Sequence, residues 1–180
     1  MRSKQQNKKD QSLSNQNESE KKMVRFANEN GPEISFTTDS VPAFIIEGMV
    51  GEAVTAIFQQ VNYFNELFTN KEHPKHNEWV INMKSLCAIA FAEAEQLVWC
   101  LRDMKDATLS PRHKAMRNIS QKLVDKLHAN HEAILASDEN NDQAFTDAMS
   151  LILKWLQSST LILSSYTKQK EITAIMKDWK

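Results

Sequence analysis

The sequence predicts an all-α protein: an up-down-up-down four-helix bundle with a disordered N-terminal tail and a short C-terminal helical extension. Three observations predict this. The 180 residues include only 3 Gly and 4 Pro, too few for a fold built on tight turns. From Ser40 onward, apolar residues recur at helical spacing in four stretches. The joins between those stretches are short and polar, which makes successive helices antiparallel neighbours.

Residues 1–22 are rich in Gln, Asn, Ser and Lys and nearly devoid of apolar side chains. Such a segment cannot offset its ordering entropy, so it is expected to be disordered on its own. Residues 23–39 form an extended segment or weak hairpin. Val24 and Phe26 alternate before the Asn30-Gly31-Pro32 turn signal, and Ile34 and Phe36 alternate after it.

Residues 40–170 hold the bundle. The first helix opens with Ser40 as cap and Pro42 in the first turn, then carries Ile46, Val50, Ala53, Ile57, Val61, Phe64 and Phe68 to an end near Asn70. Gly48 and Gly51 inside it would permit close helix approach or a local kink. The second helix is expected from Asn77 to Asp106, with a stripe of Trp79, Met83, Leu86, Cys87, Ala90, Ala94, Leu97, Leu101 and Met104. Ser110-Pro111 opens the third, whose stripe is Met116, Ile119, Leu123, Leu127 and Ile134. The polar run SDENND closes it and caps the fourth, which carries Phe145, Ala148, Ile152, Trp155, Ile162 and Tyr166.

The second helix has more apolar surface than one bundle can cover. At 100° per residue, Ile81, Ala88, Ile89, Ala92, Trp99 and Cys100 fall opposite its core stripe. The fourth helix likewise has Leu and Ile all round its axis. Helices apolar on most sides are usually buried on most sides. Ile81, Ile89 and Trp99 are therefore expected at an interface between copies of the chain. Residues 171–180 form an amphipathic extension in which Ile172, Ile175, Met176 and Trp179 share one stripe. That stripe is expected to project beyond the bundle and insert into a neighbouring subunit.

Charge is unevenly spread although the net is only -1. Residues 1–30 hold seven basic and four acidic groups, a net of +3, and the remaining 15 basic and 19 acidic groups sum to -4. Arg102 to Lys126 is net basic, whereas Glu132 to Asp147 has five carboxylates and neither Lys nor Arg. A basic tail and one basic bundle end suit a polyanion such as nucleic acid. The residues expected to contact it are Arg2, Lys4, Lys8, Lys9, Arg112, Lys114 and Arg117. Aromatic side chains are sparse along this basic segment, which argues against base-specific readout.

Motifs for chemistry are weak. His73, His76, His128 and His131 approach one end of the bundle, but their spacing matches no metal-ligand pattern. His131 lies near the apolar stripe, where a hydrogen-bonded core histidine is the commoner outcome. Glu93 and Glu95 point about 200° apart and cannot share a ligand. Cys87 and Cys100 lie about 20 Å apart on one helix, beyond disulfide reach, so reduced thiols and an intracellular (cytoplasmic) setting are expected. The N-terminus shows no apolar secretory stretch, and no segment reads as a membrane span. No catalytic residue, metal site or cofactor is expected. The resulting expectation is a non-enzymatic, self-assembling helical protein, a homo-oligomer of coat or nucleocapsid-like character that contacts nucleic acid, with a virion as one setting. The alternative is an intracellular adaptor or effector that binds a partner protein by helix packing.

Overall fold

The computed structural model describes residues 23–26, 34–37, 43–102 and 109–180. The expected tail at 1–22, the Ser40-Pro42 start and the 103–106 helix end lie outside the described residues. Strands β1 (Met23–Phe26) and β2 (Ile34–Thr37) pair antiparallel, Val24 with Phe36 and Phe26 with Ile34. The other elements among the described residues are helices: α1 (Ala43–Thr69), α2 (Trp79–Arg102), α3 (Pro111–Ala129), α4 (His131–Ala136), α5 (Gln143–Leu163) and α6 (Gln169–Asp178). The chain is all-α in character.

Four helices close a ring: α1 packs on α2, α2 on α3, α3 on α5, and α5 on α1. Val50, Ile57, Met83, Leu86, Met116, Ile119, Leu123, Ile152 and Trp155 fill its interior and are essentially solvent-free. Each such side chain contributes about 1.5–3 kcal/mol of transfer free energy relative to exposure. Every helix of the ring also buries alanine (Ala53, Ala90, Ala94, Ala115, Ala148), whose small side chain lets the backbones come close.

The two ends are held differently. At one, Trp79 opens α2 edge-on against Phe145 of α5, ring centroids 5.9 Å apart. There too, His76 Nδ1 lies 2.9 Å from Leu67 O, and Lys84 Nζ donates to Leu135 O at 2.7 Å. At the other end, Ser110 Oγ accepts the His113 N–H at 3.2 Å and Pro111 occupies the first turn, so α3 starts where the Ser-Pro pair predicts. The Arg112 guanidinium reaches from that first turn to the carbonyls of Ile162, Ser164 and Thr167, where α5 gives way to α6.

Several expectations are corrected. A single 3-10 turn, His76–Glu78, precedes α2, which begins at Trp79 and not Asn77. The third helix breaks at Asn130, whose own N–H and side-chain amide both turn back to Lys126 O. Ile134 is buried from the separate short helix α4. The fourth helix stops at Leu163 because Ser164 is extended, and Tyr166 is 90% exposed instead of continuing the stripe. Leu67, not Phe68, fills the core near the end of α1. A Cβ added at Gly48 or Gly51 meets nothing within 4 Å, so neither glycine serves a close helix approach.

The C-terminal stretch does not project. Residues 164–168 reverse the chain and α6 lies back across α3 and α5. Lys168 N–H donates to Glu171 Oε2 at 2.7 Å at the start of α6, closing its first turn. Ile172 and Trp179 are each 2% exposed, Ile175 and Met176 half-buried. Lys154 then clasps the far end: its Nζ donates to Asp178 O at 2.7 Å, pairs with Asp178 Oδ2 at 3.2 Å and sits 5.1 Å from the Trp179 ring centroid.

Candidate functional site

The outer face of α2 carries the clearest exposed apolar surface. Ile81, Ser85, Ala88, Ala92 and Trp99 follow one another by four, three, four and seven residues, which places them on one helix face. Ile81 is 66% and Trp99 61% exposed, while Ser85, Ala88 and Ala92 between them are exposed and small. The face therefore has a large apolar group at each end, small residues from Ser85 to Ala92, and the exposed Glu95 and Gln96 beside Trp99, over about 27 Å of helix. Ile89 is turned partly inward and half-buried. On α5, Leu153 and Leu161 are also about half exposed.

Beside Trp99 a groove of about 450 Å³ runs between α2 and α3, lined by Gln96, Val98, Arg102, Gln121 and Val124 among others. A second, of about 340 Å³, lies under α4 between Cys87, Phe91, Leu127, His128, His131 and Ile134. A third cavity, of about 230 Å³, sits at the end where α2 and α5 begin. Phe64, Phe68, Trp79 and Phe145 wall it, and Asp142, Thr146 and Ser150 line its α5 side.

Of the sequence-predicted polyanion residues the structure describes Arg112, Lys114 and Arg117, all in the first two turns of α3. Arg2, Lys4, Lys8 and Lys9 lie outside the described residues. Lys114 and Arg117 are half-buried on α3. The Arg112 guanidinium bonds three backbone carbonyls at the α5–α6 turn and so has a role in the fold. Of the expected interface residues, Ile81 and Trp99 are open. Ile172 and Trp179 are covered by their own chain, and Ile175 and Met176 pack against the same core.

The histidines do not gather. His73 Nδ1 accepts the Lys75 N–H at 3.1 Å, and the His73 ring meets Tyr63 edge-on. His128 tilts over Phe91, and His131 is exposed, not a core histidine. Among the described residues no group of three or more His, Cys, Asp or Glu is placed to hold a metal ion. Glu93 is half-buried and Glu95 exposed, on different sides of α2. Burial pushes the Cys87 thiol up to about 11 and raises Cys100 as well, which leaves both as weak nucleophiles at neutral pH.

Two features escaped the sequence reading. The aromatic cavity joins residues from α1, α2 and α5, and the cue was Phe68 and Trp79 standing at the two ends of one loop. The serines of α5 read as interruptions of an apolar run, yet Ser158 is buried beside Trp179, as Ser120 of α3 is beside Trp155. Trp155 Nε1 donates to Ser120 Oγ at 3.1 Å, and Trp179 Nε1 to Ser158 Oγ at 2.9 Å.

These observations define an all-α helical protein with an exposed apolar helix face. No helix among the described residues is long and apolar enough to cross a membrane. Comparison of the chain with protein-family models, with curated proteins and with solved structures finds no match.

Proposed function

We propose that this chain is a non-enzymatic structural protein, an up-down-up-down four-helix bundle that self-associates and contacts nucleic acid or another polyanion. The reading is coat-like or nucleocapsid-like, with an intracellular or virion setting. One observation carries it: the open face of α2, with Ile81 and Trp99 at its ends, the small Ser85, Ala88 and Ala92 between, and the polar Glu95 and Gln96 beside Trp99. Two exposed large apolar groups on one helix face lose about 1.5–3 kcal/mol each to water unless covered. The small side chains of Ser85, Ala88 and Ala92 let a second helix approach that part of α2 closely. The polyanion contact rests on the net basic segment at residues 1–30, with Lys114 and Arg117 as the bundle's share.

Light scattering on the purified chain, with its 260 to 280 nm absorbance ratio, tests both halves. The expected result is an oligomer that carries nucleic acid. The double variant Ile81→Ser/Trp99→Ser should dissociate it with helicity unchanged. A monomer free of nucleic acid at every concentration refutes the proposal. It would favour the second reading, an adaptor that takes a partner helix in the groove beside Trp99, a reading supported by that groove's apolar wall of Val98 and Val124.

A further inference from the structure

The cavity at the α2–α5 end is walled by four aromatic rings, with Met83 and Met149 beside them. Its walls are set at large angles. Trp79 stands at 74° to Phe68, with centroids 5.3 Å apart, and at 76° to Phe145 at 5.9 Å. Phe64 stacks on Phe68 at 5.6 Å and extends that wall. Aromatic faces attract a cation within about 6 Å through their quadrupole, and Trp does so best. Asp142, exposed where α5 begins, adds a carboxylate to the cavity's lining. Phe68 is 47% exposed, so the cavity is open to an incoming side chain.

The surroundings favour a positive visitor. The α4–α5 stretch from Glu132 to Asp147 has five carboxylates and no Lys or Arg. On the loop from α1 to α2, Glu72 and Glu78 offset Lys71 and Lys75. The chain itself carries a matching segment: residues 1–22 hold Arg2, Lys4, Lys8, Lys9, Lys21 and Lys22 against three acids. That segment precedes the start of α1, and the cavity lies beside α1's finish, about 40 Å away along a 27-residue helix. Lys168 and Lys170 begin α6 at the end where α3 starts and α5 finishes, opposite the cavity.

We propose that the aromatic cavity receives a Lys or Arg side chain from residues 1–22 of a second copy of this chain, joining copies head to tail. The basic segment is opposite in charge to the α4–α5 stretch beside the cavity of another copy. Because the two ends differ, the contact is heterologous and repeats from copy to copy. The inference rests on the self-association reading but uses a different surface from the α2 face.

The test uses the full chain at nanomolar concentration, where copies are apart, and a fluorescently labelled peptide of residues 1–22. Anisotropy should report saturable binding that weakens with salt. Phe68→Ser and Asp142→Asn, both at exposed positions, should each weaken it about 3- to 30-fold with circular dichroism unchanged. A peptide with its Lys and Arg replaced by Gln should not bind. Absence of binding, equal binding by both variants, or equal binding of the Gln peptide overturns the proposal. So does a cavity that takes tetramethylammonium but not the peptide. Light scattering on Ile81→Ser/Trp99→Ser reads the α2 face separately: lost assembly there with peptide binding intact leaves this inference standing, and lost peptide binding with assembly intact removes this inference alone.

Discussion

The indole Nε1 of Trp179 donates to Ser158 Oγ at 2.9 Å, and this bond ties the end of α6 to the second half of α5. Both groups are buried, so the bond has no water to replace it. Trp179→Phe should cost about 1–2 kcal/mol by leaving Ser158 short of a partner, and Trp179→Ala about 3–5 kcal/mol by adding a void. Truncation after Gln169 should lower the melting temperature of the subunit while leaving assembly intact. Urea denaturation beside light scattering checks all three. Unchanged stability in the truncated chain would mean α6 does not hold its own bundle.

Arg112 makes the corresponding tie at the other turn. Replacement by Met should destabilise the chain by about 2–3 kcal/mol, because charge-assisted bonds to three carbonyls are lost. Lys should restore little, since an ammonium lacks the planar fork that spans separate carbonyls. Thermal melts of the two variants give the comparison. Full recovery with Lys would show that charge alone suffices.

Gly48 is exposed within α1 and has open space around its missing Cβ. Gly48→Ala should therefore stabilise the chain by about 0.5–1 kcal/mol, through a less free unfolded state and better helix propensity. A loss of stability on denaturant titration would point to a neighbour that the packing does not include.

His113 is buried in the first turn of α3. Burial lowers its pKa below the ordinary histidine value, and the Glu47 carboxylate opposes this more weakly. With a depressed folded-state pKa, the unfolded chain takes up the proton first. The stabilising contribution is then complete above the ordinary value of about 6.5 and is lost as pH falls through the lowered one. His113→Leu should flatten the pH dependence of stability in that window, and Glu47→Gln should steepen it. Denaturation midpoints from pH 8 to 5 distinguish these outcomes; parallel curves for all three chains would exclude His113 as the source.

Periodicity made the ring of helices legible, because it reports which way a residue faces. The whole expected stripe of α2 from Met83 to Leu101 is buried, and Ile81 and Trp99 stand out to solvent. Periodicity says nothing of where the chain turns. The stripe from Leu127 to Ile134 survives a break at Asn130, since two helices can bury their residues in one core. The apolar stripe of α6 was equally visible, but an amphipathic helix looks the same whether it packs on its own bundle or on another. What decided the matter was Arg112 and Lys154, long side chains that read as surface charge and act on distant carbonyls. The aromatic cavity was hidden for the same reason: its walls come from three separate helices.

The Trp155–Ser120 hydrogen bond sets a registry. Helices packed through Leu and Ile alone can slide by a turn, about 5.4 Å, and find nearly equivalent contacts. Such a slip of α5 along α3 would carry the indole N–H away from the one hydroxyl it meets at 3.1 Å and strand it among apolar side chains. The stranded group would cost about 1–3 kcal/mol, enough to disfavour the shifted arrangement roughly 5- to 150-fold. Together with the Arg112 bonds to the Ile162 and Ser164 carbonyls, this one serine fixes a single alignment of α5 along α3.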